Sequence, residues 1–286
     1  MKTKNAAAAV IGLLSAITVF MCSCSEHAPA EKIDESTEFV LQGEGNSETA
    51  SDGSESIDIP EPNVPAAQTP ERQPKFDDPD SYINYDSSTD TYYLTEEEEQ
   101  IGKESLFVGD SICLGFSTWS VVSGKNVYAT GNVGARNFFD YEMYYLSRPE
   151  KFVNVLSEVQ PKHIFFWMGM NDVNLTSAEE YCENYSKIID TALENSSADV
   201  YICAITPISR LEFTKLSYIN EFNDAIGHFV RTNYNERVHV INFGEPLKNA
   251  DGILDEQYNG GDGIHLSRRA YYVAMHEINR QMKKTE

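Results

Sequence analysis

Positive charge is scarce in this chain of 286 residues: 22 Lys and Arg stand against 45 Asp and Glu, for a net charge of −23. Binding to nucleic acid needs clustered basic residues to meet the phosphates, and the sequence has no such cluster. Cysteine is thin as well. Cys22 and Cys24 fall near the start, and Cys113, Cys182 and Cys203 are an odd set at scattered spacings. Such spacings make neither a disulfide framework nor a zinc-ligand pattern, so buried structural thiols are expected. Internal repeats are missing. Apart from one long apolar run, Ala6 to Met21, the chain has nothing approaching a membrane span, and that run is rather short for one.

That run follows Lys2 and Lys4 and is closed by small residues and cysteines, which is the pattern of a secretory signal. It resembles a bacterial lipoprotein signal, in which the cysteine just after the cut is acylated. Cys24, preceded by Ser23, fits better than Cys22, preceded by the bulky Met21. The resemblance implies a protein held by a lipid chain at the outer face of a bacterial membrane, or otherwise secreted. Residues 25–95 then form an acidic Ser/Pro-rich stretch; residues 25–100 carry 21 acidic against 3 basic side chains. Segments such as GEGNSETASDGSES cannot bury enough apolar area to offset their ordering entropy, and a disordered, self-repelling tether is expected. Within it, Tyr82 to Leu94 has aromatics suited to packing on a domain edge, and Glu96–Glu99 open a short helix.

From about residue 100 the texture changes. Short apolar runs at 106–109, 127–130, 163–169, 200–206 and 238–243 alternate with helical patterns. Alternation of this kind signals βαβ units and a parallel sheet covered on both faces. Pro149 suits a helix first turn, with Phe152, Val153, Leu156 and Val159 on one face. Thr176 to Glu179 offers a capping box before a stripe of Tyr181, Tyr185, Ile188, Ile189 and Ala192. Ile219, Phe222, Ile226, Phe229 and Val230 make another stripe, and a last helix follows Ser267. These aromatic and aliphatic stripes read as core. The expected fold is a three-layer α/β/α sandwich around a five-stranded parallel sheet, in one domain spanning residues 96–286.

Ligands of open parallel sheets bind outside the carboxyl ends of the strands. The residues just past each run are Gly109-Asp110-Ser111, Gly131-Asn-Val-Gly134, Gly169-Met-Asn171-Asp172 and, before the last helix, Asp262-Gly-Ile-His265. GDS, GxND and DxxH in this order resemble the SGNH hydrolases, the GDSL-like esterases and lipases, over residues 105–270. The resemblance implies a flavodoxin-like sheet, ester hydrolysis without metal or cofactor, and functional roles for Ser111, a glycine near Gly134, Asn171, His265 and Asp262. Gly131 and Gly134 both qualify for the second block, and Gly134 is favoured because it lies nearer the following helix.

The residue types account for such chemistry independently. A serine hydroxyl attacks only when a base takes its proton, and His265 is the obvious base for Ser111, with Asp262 as its orienting acceptor. Ser111 opens a helix, so its N–H, the Gly134 N–H and the Asn171 amide can form an oxyanion hole. Asp110 is expected to fix the strand-to-helix turn. The absence of a G-x-S-x-G elbow argues against an α/β-hydrolase. The expected substrate is a small or polysaccharide ester carrying short acyl groups, acetyl among them. Two alternatives stand: an acyltransferase using the same residues, and a binding protein that kept the fold. His163 and His239 fall in strands, His228 and His276 on helices, and none has a motif around it. Asp262 near Asp255 has poor spacing for a metal loop. Trp119, Arg136 and Tyr258 are further candidates for lining the pocket. A monomer is favoured.

Overall fold

The computed structural model describes residues 84–89 and 91–284; the signal run, Cys22, Cys24 and most of the acidic stretch lie outside the described residues. The described chain begins with an antiparallel hairpin, β1 (Asn84–Asp86) and β2 (Thr91–Tyr93), whose Tyr92 packs on Tyr272 with ring centroids 5.4 Å apart. Helix α1 (Glu96–Glu104) follows. Thr95 caps it through a reciprocal box with Glu98, and four glutamates occupy its first turn, where the helix dipole favours negative charge.

Five parallel strands make the central sheet: β3 (Ser105–Gly109), β4 (Val127–Ala129), β7 (His163–Trp167), β8 (Asp199–Cys203) and β9 (Val238–Ile241), in the spatial order β4-β3-β7-β8-β9. A small hairpin of β5 (Tyr144–Tyr145) and β6 (Arg148–Pro149) interrupts the crossover from β4. Pro149 therefore sits in this hairpin and not in the first turn of a helix. Helix α3 (Phe152–Val159) starts later and buries Phe152, Val155 and Leu156, whereas Val153 points outward. The other helices are α2 (Ser111–Thr118), α4 (Ala178–Asn195), α5 (Leu216–Asn233) and α6 (Arg268–Met282).

Topology follows from handedness. Parallel crossovers are right-handed. The first one steps from β3 to its neighbour β4, and the later ones run the opposite way through β7, β8 and β9. The reversal puts α2 on one face and α3, α4 and α5 on the other, and α6 returns to pack with α1 and α2. The reversal lies between β3 and β7, the place where doubly wound sheets open a crevice. Their register sets Gly109 opposite both Ala129 and Trp167, so three strands end level with one another.

The strands are shorter than the apolar runs that announce them. Met168, Met170, Ala204 and Ile205 lie past the strand ends but stay buried, since they root the loops of the crevice. Under the crevice lies an aromatic cluster in which Phe116 and Phe243 meet Trp167 at 5.3 and 4.3 Å, and Tyr271 meets Phe116 at 5.3 Å. Cys113, Cys182 and Cys203 are free buried thiols.

Candidate active site

Three strand ends and one loop supply the site. At the end of β3, Gly109 is required by close packing: a Cβ there would lie 1.9 Å from the Trp167 carbonyl oxygen. Asp110 is the N-cap of α2, and its Oδ1 accepts the N–H groups of Ile112 (2.9 Å) and Cys113 (3.5 Å). Burial pushes the Asp110 carboxyl up to about 7 against these two hydrogen bonds. A capping carboxylate so engaged fixes the turn, and it leaves Ser111 as the first helical residue with its N–H at the positive end of the helix. Glycine recurs one turn on. A Cβ on Gly115 would lie 1.9 Å from the Tyr271 hydroxyl, which donates to the Ile112 carbonyl at 2.7 Å and ties α2 to α6.

The loop before α6 brings in His265, the candidate base. Asp262 Oδ1 accepts the N–H of Ile264 (2.9 Å) and of His265 (2.8 Å), while its Oδ2 lies 2.6 Å from His265 Nδ1. A carboxylate can only accept, so Nδ1 carries the proton and Nε2 is left as an acceptor. Nε2 lies 2.9 Å from Ser111 Oγ, which places the serine hydroxyl as donor to it. Burial works against the charged carboxylate, but the His265 side chain and the two N–H groups outweigh it and bring Asp262 down to about 2. Asp262 therefore stays ionised throughout the range in which a histidine ordinarily changes charge, about pH 5–8. The loop itself is shaped by Asn259, which sequence reasoning missed. Its Oδ1 accepts the N–H groups of Gly261 and Gly263, both at 2.9 Å, and both glycines have positive φ (108° and 78°). The signal was Asn followed by two glycines.

Asn171 comes from the loop after β7. The hydroxyls of Tyr181 and Tyr185 donate to the Met168 carbonyl at 3.0 and 3.1 Å, and Gly169 (φ 141°) makes the turn under the Tyr181 ring. One hydrogen of the Asn171 amide donates to the Val133 carbonyl (2.9 Å), leaving the second for a ligand. Of the two candidate glycines, Gly131 has open space where a side chain would stand, whereas a Cβ on Gly134 would strike the Asp172 carboxylate at 2.4 Å. The Gly134 N–H is already donated, to Asn137 Oδ1 at 2.8 Å. As an oxyanion donor it has to give up that bond first. Ser111, His265, Asp262, Asn171 and the Gly134 loop are thus assembled at one end of the sheet.

The further lining candidates separate. Trp119 caps the far end of α2, a helix length from Ser111. Tyr258 is buried beneath the Arg269 guanidinium. Arg136 does reach the site: its Nη1 donates to the Asn171 carbonyl at 2.7 Å. The hydrogen-bonded chain of Asp262, His265 and Ser111 is open, with the side chains of His265 and Asp262 46% and 45% exposed.

A family model for GDSL-like lipases and acylhydrolases matches residues 107–273, more than half of the chain, and the protein belongs to that family. Among solved structures, a GDSL-like lipase from Bacteroides thetaiotaomicron matches with a TM-score of 0.51 at 17% identity, over 65% of this chain and 91% of that one. A candidate acylhydrolase from Bacteroides fragilis matches with a TM-score of 0.51 at 16% identity, over 64% and 88%. At such identities the likeness is one of fold. No curated protein matches the chain. The protein is an ester-hydrolysing enzyme.

Asn171→Ala tests the free amide hydrogen. An oxyanion donor acts on charge that develops only in the transition state, and removing one typically lowers kcat by about 10²–10³. Steady-state kinetics on an activated ester should show that loss with KM nearly unchanged. Full kcat in the variant would remove Asn171 from the hole.

Proposed function

We propose that this protein is an exported esterase that removes short acyl groups, acetyl among them, from carbohydrate or other small esters through an acyl-enzyme on Ser111. The observation that carries the reading is the unbroken hydrogen-bonded chain from Asp262 through His265 to Ser111 Oγ, 2.6 and 2.9 Å long. In the forward step Oγ bonds to the ester carbonyl carbon while its proton passes to His265 Nε2. The carbonyl oxygen becomes an anion facing the Ser111 N–H, the Asn171 amide and, once Asn137 yields it, the Gly134 N–H. Collapse of the tetrahedral adduct breaks the ester bond, and the imidazolium returns its proton to the departing alkoxide. Water then repeats the sequence on the acyl-enzyme, with His265 again taking and returning the proton, and the carboxylic acid is released. Asp262 stabilises the imidazolium and holds the ring. No cofactor is needed for any step.

The open triad supports a bulky alcohol part, since half-exposed His265 and Asp262 side chains leave solvent above the bond to be cut. The apolar run before Cys24 supports a lipid anchor that keeps the enzyme against the outer face of the membrane. Two measurements test these points. The domain is expected to cleave acetylated sugars and short acyl esters, with kcat/KM falling as the acyl chain lengthens; a preference for long chains overturns the substrate class. In a bacterial host the full chain should partition with membranes, and Cys24→Ala should release it or block its processing. Wild-type protein free in the medium and unacylated overturns the anchor.

A further inference from the structure

The loop carrying Gly134 and the loop carrying Asn171 are far apart in sequence, yet both have to present donors to the same oxygen. What joins them is a carboxylate. Asp172 is fully buried, with Oδ2 accepting the Ala135 N–H at 2.9 Å and Oδ1 accepting the Arg136 N–H at 3.1 Å. Arg136 Nη1 stands 3.4 Å from the same Oδ1 and donates to the Asn171 carbonyl at 2.7 Å. The Asn171 amide closes the circuit on the Val133 carbonyl at 2.9 Å. Glycine at 134 is what lets the carboxylate in, because a Cβ there would come within 2.4 Å of it.

A buried carboxylate close to a site where negative charge must develop is a poor choice on electrostatic grounds alone. Burial also raises its pKa, against the pull of the Arg136 and Ala135 groups. Isolated buried charge is costly, and it persists where several donors hold it. Only an acceptor with two oxygens can take two successive backbone N–H groups and a guanidinium at once; an amide has one acceptor oxygen and two donors.

We propose that Asp172 is a positioning residue for the oxyanion hole, holding the Gly134 loop and Asn171 at a fixed separation by gathering the Ala135 and Arg136 N–H groups under them. The inference rests on the reading of Ser111, Asn171 and Gly134 given above. Asp172 touches no reacting atom. It acts through the donors it places, so its loss should change turnover and leave binding nearly alone.

The test is a double-mutant cycle on the whole chain. Asp172→Asn keeps size and removes one acceptor. Its kcat should fall by about 10²-fold, the loss expected of one displaced donor, with KM changed less than about threefold. Labelling of Ser111 by a serine-directed phosphonate should slow in parallel, because the adduct's oxygen occupies the same hole. Residues that act as a unit are not additive, so Asp172→Asn added to Asn171→Ala should cost far less than it does in the wild type. If Asp172→Asn does not fold, Arg136→Met provides the same cycle, since it removes the guanidinium bridge and leaves both backbone N–H bonds; a loss of roughly tenfold that disappears in the Asn171→Ala background is expected. A variant that melts earlier but turns over like the wild type overturns the inference, as do penalties that multiply. Wild-type protein that takes no phosphonate overturns instead the reading on which it rests.

Discussion

Ser111→Ala is expected to lower kcat by about 10⁶ and to abolish covalent labelling by a serine-directed phosphonate, while leaving fold and substrate affinity in place. The size follows from what disappears. Without Oγ there is no acyl-enzyme, His265 Nε2 has no hydroxyl to accept from, and the remaining hole can only assist direct attack by water, which in serine hydrolases retains about 10³–10⁴ over the uncatalysed rate. The side chain is small and only half-buried, so its loss opens no cavity in the core, and the helix keeps its cap because Asp110, not Ser111, supplies it. Intact mass after phosphonate treatment, alongside ester turnover, checks both parts. Labelling at any other residue would move the nucleophile elsewhere.

Asp262→Asn should have the next largest effect. The asparagine can still accept the Ile264 and His265 N–H groups through one oxygen, but its amide would present a donor to His265 Nδ1 and drive the ring toward the wrong tautomer. In a buried triad that change costs about 10⁴ in kcat. Here both side chains are nearly half exposed, so water can replace part of the lost acceptor, and a loss of roughly 10³ is expected. The pH dependence has a definite sign. The folded-state Asp262 carboxyl lies at about 2, below its ordinary value of 3.8, so its contribution to stability is present above that ordinary value and is lost as pH falls through about 2. Asp262 stays charged from pH 4 upward, so it plays no part in any acid limb of kcat/KM seen above that pH. Rates from pH 4 to 9 on wild type and variant check this: the wild type should lose activity on acidification while Asp262 remains charged. A flat wild-type profile between about pH 5 and 8 would take the base role from His265.

Much of this arrangement is legible in the residue string, and what is not has a common cause. The five strands announce themselves because both faces are covered, which leaves each a continuous apolar run. The apolar runs extend past the strand ends for the same reason: Met168 and Ile205 are as buried as strand residues while serving loops. The α4 cap shows how local signals compete. Thr176 and Ser177 each have a glutamate three residues on, and the structure uses Ser177 with Glu180, because the Thr176 N–H is already committed to the Asp172 carbonyl at 3.0 Å. Pro149 fits a helix start by its fixed φ, yet its neighbours pair as a hairpin. GDS, GxND and DxxH could be read because each is contiguous and sits at a strand or helix end. Asp172 as a bridge to the Gly134 loop could not, since its partners lie 36 and 37 residues away and nothing in either segment names the other.

The bond between His265 and Ser111 closes a loop of 154 residues. Closing so long a loop costs more chain entropy than a local contact does, and folds rich in such contacts form more slowly. The Ser111 side of that bond has a local support in the Asp110 cap, whereas the His265 side depends on the seating of α6, whose Ala270, Val273, Ala274 and Ile278 are fully buried in the core. In the folded chain α6 is tied to α2 by the Tyr271 hydroxyl over Gly115, and the loop just before α6 holds the histidine within reach of the serine. Turnover should then report completed folding: a nascent chain still missing its final helix is expected to carry no esterase activity, and recovery of activity on refolding should lag behind recovery of helical signal.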